Sequence, residues 1–97
     1  MTIIYHPAVY DDLDGIMRYY EDVSGALLAD DFFSEFVLFA RLAAKNPHMF
    51  SPRKNGLRRV NLERFPYHFW FRLVGDNVQI MVLRHHARSP GFGLGRK

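Results

Sequence analysis

The sequence predicts an α+β fold: a short N-terminal strand, an antiparallel helix hairpin, then a three-stranded antiparallel sheet packed on that hairpin. Three observations lead there. Apolar side chains recur at helical spacing from Val9 to Ala43, and they alternate from Leu57 onward. Between two of the alternating runs lies Gly75-Asp76-Asn77, a hairpin turn sequence. At 97 residues the chain is expected to form one domain, residues 1–97, able to bury about 60 to 65 per cent of its unfolded surface.

Each element has its own local reason. Thr2 to Tyr5 is a short β-type run, and His6-Pro7 closes it with a proline suited to a first helical turn. Helix one follows from Ala8, with Val9, Leu13, Ile16, Met17 and Tyr20 on one side. Asp11, Asp12 and Asp14 stand early in that segment, where the helix dipole favours negative charge. Ser24-Gly25 breaks the helix and offers an N-cap for the next. Helix two buries a stripe of Leu28, Phe32, Phe36, Phe39 and Ala43, widened by Phe33, Val37 and Ala40, and ends at Asn46-Pro47.

A hairpin with this many phenylalanines needs a cover, and residues 57–63, 67–74 and 78–85 supply it as strands. With Asp76 and Asn77 as central turn residues, His68 falls opposite His85, Trp70 opposite Leu83 and Phe71 opposite Val82. Tyr67, Phe69, Phe71 and Leu73 then share the helix-facing side with Val78, Ile80 and Val82. His68, Trp70, Arg72, Gln79, Met81, Leu83 and His85 share the other, expected to be an open concave surface. Segment 48–59 is expected to be a basic loop, and Phe92 and Leu94 of the glycine-rich tail to pack back on the sheet.

Charge is divided between the halves. Residues 1–46 carry three basic side chains against eight acidic ones, and residues 47–97 carry ten against two. The whole-chain value of +3 conceals this split, and a basic, aromatic-rich half suggests a surface that meets a polyanion. No cysteine is present, which excludes disulfide frameworks and thiolate metal sites. The five histidines show no H-x-x-x-H or H-E-x-x-H spacing, so no metal and no cofactor are expected. Apolar runs are far shorter than the roughly 20 residues a membrane helix needs. With no signal-peptide pattern at Met1 to Tyr5, a cytoplasmic location is expected.

Several pieces, in order, resemble the RelE/ParE superfamily of toxins from bacterial type II toxin-antitoxin modules. They are Asn46-Pro47 after helix two, Leu57-Arg58-Arg59, Phe65-Pro66-Tyr67 opening a strand, an apolar last strand, and His85-x-x-Arg88-x-Pro90 closing it. The resemblance covers nearly the whole chain. It implies a growth-arresting toxin, of the plasmid-stabilising kind, neutralised by a cognate antitoxin. The implied target is either ribosome-bound messenger RNA, cleaved without a metal, or DNA gyrase. An inert relative that only binds an antitoxin is the alternative.

Ribonuclease relatives carry cations that hold the charge of a pentavalent phosphorane and groups that move protons. By the resemblance, their two second-strand lysines fall on Arg59 and Asn61, their third-strand arginine on His68 and a later arginine on Arg88. Their tail tyrosine has no counterpart among Phe92 and Leu94. His68 and His85 are then the candidates to divide base and acid roles, with Arg88 as third catalytic residue. Arg58, Arg59, Asn61, Trp70 and Arg72 are the binding candidates, Trp70 as a platform for a base or an antitoxin anchor. His6 and His48 are expected to be surface or capping residues.

Overall fold

A computed structural model describes residues 1–97. Its elements are β1 (Thr2–Tyr5), α1 (Pro7–Ser24), α2 (Ala26–Lys45), a 3-10 turn (Pro47–Met49), β2 (Pro52–Lys54), β3 (Leu57–Asn61), β4 (Tyr67–Val74) and β5 (Asn77–His85). The expected α+β arrangement is present, but the three strands are the middle of a five-stranded sheet ordered β1-β5-β4-β3-β2. β1 pairs parallel to β5, so the chain between them, the helix hairpin followed by β2, β3 and β4, is a crossover that returns to the edge of β1. The expected basic loop contains a strand, β2, in which Pro52 lies opposite Arg58.

Local chemistry explains the helix ends. The His6 imidazole caps α1, accepting from the Ala8 amide at 3.0 Å. No acidic residue occupies the first turn of α1, so the expected dipole role for its aspartates is corrected; Asp12 is used elsewhere. Ser24 is not an N-cap either. It ends α1, and Gly25 at φ 83° makes the whole connection without a side-chain cap. α2 buries Ala29, Phe32, Phe36, Ala40, Ala43 and Ala44 against the sheet, whereas Phe33 is largely exposed. The core is completed by Phe69, Phe71, Val78 and Ile80. Phe32 meets Phe65 and Tyr67 edge-on, with ring centroids 5.2 and 5.1 Å apart.

The β4–β5 register differs from the expected one, and this rearranges the site. Tyr67, not His68, lies opposite His85; His68 lies opposite Arg84, Trp70 opposite Val82 and Phe71 opposite Ile80. Two causes act together. Val74 pairs with Asn77, leaving Gly75 (φ 58°) and Asp76 as the loop, with glycine at the first loop position as a type II′ turn requires. A bulge between Trp70 and Phe71 then leaves Met81 unpaired on β5. Beyond it, side chains swap sides: Val82 joins Trp70 on the second face, while Leu83 joins the helix-side core. His85 goes with Tyr67, their rings edge-on at 4.9 Å.

Candidate functional site

The second face of the sheet is roofed. Leu57, Trp70, Met81 and Val82 form a small core of their own, covered by Phe92 and Leu94 of the tail. Close approach is possible because residue 93 is glycine at φ 77°, where any Cβ would overlap Val82. Arg84 fastens the strap: its Nη1 donates to the carbonyls of Ser89, Pro90 and Phe92 at 3.2, 2.7 and 2.8 Å. Farther along, Arg88 and Arg96 lie over the Phe92 ring at 4.0 and 5.2 Å. Trp70, expected on an open face, is therefore 6 % exposed, and His68 only 1 %.

At the end of this face beyond the strap, five side chains form a hydrogen-bonded chain. Arg84 Nε donates to His68 Nε2 at 2.9 Å. His68 must then carry its proton on Nδ1, which lies 2.9 Å from His86 Nδ1 and donates to it. Arg59 approaches the same His86 nitrogen at 3.3 Å and donates from Nε to Asn61 Oδ1 at 2.7 Å. Both imidazoles are consequently neutral. A second proton on His68 would face the Arg84 donor, and burial, followed by the charges of Arg59 and Arg84, pushes its pKa down to about 3. His86 is lowered too, by burial and then by Arg59.

The expected residues are thus partly gathered and partly dispersed. Arg59, Asn61 and His68 come together; His85 is across the sheet from them, so the His68–His85 pair is corrected to His68–His86. Arg58 points to the helix side and donates to the Phe50 carbonyl at 2.7 Å, and Arg72 is engaged with Gln79 at 3.0 Å. Arg88 is exposed apart from its contact with Phe92. Arg84 and His86, the two links the sequence reading left out, are adjacent in sequence to residues it chose. The parity of β5 was the signal that would have found them. Nowhere do three or more potential metal ligands converge.

A second polar device closes the edge of β5. β1 ends opposite Ile80, with the His6 amide donating to the Ile80 carbonyl at 2.8 Å. Past that point Arg96 donates to the Met81 carbonyl at 3.0 Å, and Asp12 accepts from the Leu83 amide at 3.1 Å. The two hold each other through contacts of 2.6 and 3.0 Å, nearly out of solvent. Beside them a groove of about 480 Å³ runs between α1 and β5, bordered by Asp11, Ile16, Tyr19, His85 and Arg88. No helix is long and apolar enough to cross a membrane.

A strand, a helix hairpin and a sheet with its far face under a cationic tail define a small α+β domain. Residues 3–90 match the family described as the ParE toxin of the type II toxin-antitoxin system, parDE. The chain belongs to that family. Among solved structures it is similar to "Chromosomal ParDE TA system from P. aeruginosa", at 24% identity and a TM-score of 0.79, covering 88% of this chain and 95% of that one. At that identity the likeness is one of fold. No curated protein matches.

Proposed function

We propose that this ParE-family chain arrests bacterial growth by gripping a protein target in the cytoplasm, DNA gyrase, and that a cognate antitoxin silences it. The histidine chain carries this reading. RNA cleavage needs a group that accepts the ribose proton and another that protonates the leaving oxygen. His68 has both ring nitrogens engaged and a pKa near 3, and His86 is held neutral between His68 and Arg59. Arginine stays protonated and Asn61 does not titrate. The Phe92–Leu94 strap also takes the place where a base would stack on Trp70. A binding toxin tolerates all of this; a ribonuclease does not. In such a module the toxin serves to retain the replicon that encodes it.

Induced expression without the antitoxin gene should stop colony formation, and co-expression of the antitoxin should restore it. In the arrested cells double-strand DNA breaks should precede any fall in amino-acid incorporation, and the purified protein should inhibit gyrase supercoiling. Early messenger cleavage by primer extension, with intact DNA, would return the nuclease reading. Normal growth at confirmed soluble levels would leave only antitoxin binding.

A further inference from the structure

Three ion pairs occur in the whole molecule, and they use only Arg18, Arg64 and Arg96. Around the open end of the second face the cations have no carboxylate. Burial, and then the charge of Arg53 on β2, push the pKa of Arg59 on β3 down. Arg59 reaches the His86 ring nitrogen at 3.3 Å, and Arg84 bonds the His68 ring behind it. Lys54 is exposed. Edge protection explains Arg53 and Lys54 on an outer strand, but not Arg59, which sits inside the sheet and repels two neighbours. Uncompensated like charge of this kind costs stability, and an anionic partner relieves it.

From this corner we infer that the protein binds the phosphodiester backbone of duplex DNA through Arg53, Lys54 and Arg59, without cleaving it. The absence of an accessible phenyl or indole ring decides between duplex and single strand. Single-strand binders stack bases on exposed aromatic side chains, and here Trp70 is under the tail while Phe92 is flanked by Arg88 and Arg96. What remains is a set of guanidinium and ammonium donors, suited to phosphates that a duplex presents outward with its bases already stacked. Readout is therefore independent of sequence. The inference goes beyond the target reading and stands or falls without it, since neither gyrase nor living cells enter its test.

The purified full chain is titrated into a labelled duplex of about 20 base pairs, long enough for several phosphate contacts, and followed by anisotropy at a series of salt concentrations. Binding should weaken linearly in log–log form as salt rises. Arg53→Gln, Lys54→Gln and Arg59→Gln, combined, should weaken it at least about tenfold and flatten the salt slope by about 1 for each contact removed. Arg18→Gln, which removes one positive charge from the acidic hairpin, should change affinity less than about twofold. Folding of each variant is checked by circular dichroism. No binding at about 50 mM salt, an unchanged triple variant, preference for a single-stranded RNA of equal length, or displacement by poly-glutamate as effectively as by unlabelled duplex would each overturn the inference.

Discussion

At the scale of single residues, the most consequential fact is that His68 is a core residue. Its ring is stacked on that of His86, with centroids 5.1 Å apart and 11° between planes, and it is hydrogen-bonded at both nitrogens. The folded protein keeps it neutral down to about pH 3, whereas an unfolded imidazole takes a proton near 6.5. Below about pH 6.5 the unfolded chain therefore binds more protons than the folded one. The stability from this site is full above that pH and is lost as pH falls toward 3, with a slope of up to about 1.4 kcal/mol per pH unit. His86 adds to it with the same sign. Urea unfolding at pH 7 and about pH 5 should show a clear fall in midpoint; a flat profile would mean that the ring is solvated. Nitrogen NMR of the imidazoles should find His68 protonated on Nδ1 and His86 on Nε2.

Among elements, β5 is the organiser. It pairs with β1 and β4, carries the bulge at Met81, and provides Arg84 to hold the tail. Where β1 stops, Asp12 and Arg96 behave as a substitute strand, one satisfying an amide and the other a carbonyl. Removing one member leaves the other buried without its counter-charge. Asp12→Ala should cost about 3 to 5 kcal/mol, and the double variant with Arg96→Met should recover part of that. The chain has one tryptophan, which sits under the tail, so its emission should shift to the red in Asp12→Ala if the strap loosens. An unshifted emission with a stability loss below about 1 kcal/mol would show that the pair is surface-like.

For the molecule as a whole, stability rests on one aromatic interface between hairpin and sheet. Phe36 is 2 % exposed and meets Phe69 edge-on at 5.5 Å. Phe36→Ala should cost about 3 to 5 kcal/mol, a large part of the 5 to 15 kcal/mol typical of such a domain. Toxicity should vanish in that variant through unfolding, visible as a lost thermal transition, and a cooperative transition near the parent's would contradict the assignment of this interface. Charge is organised at the same scale. Acidic residues crowd the hairpin and basic ones the sheet, so the protein presents opposite signs on opposite sides. Long-range attraction of an acidic antitoxin segment or a phosphate backbone then falls with added salt.

Much of the architecture was legible in the sequence alone. Helical periodicity between proline and glycine punctuation located α1 and α2, and strict alternation gave β4 its observed limits, Tyr67–Val74, with the correct helix-facing side. These are local signals, set by backbone geometry within a few residues. β2 escaped notice because it has three residues, and β1 was legible as a strand but not its place beside β5, since alternation cannot register a parallel crossover. The site depended on less local matters. Ile80, Met81 and Val82 are all apolar, so a bulge at Met81 leaves the pattern of β5 equally readable in either parity, and with it the choice between His85 and His86. Arg84 is buried only because the carbonyls of Ser89, Pro90 and Phe92 fold back onto it. Asp12 finds Arg96 across 84 residues of sequence. A charge can enter a core only where a partner arrives to meet it, and which partner arrives is decided when the chain closes on itself.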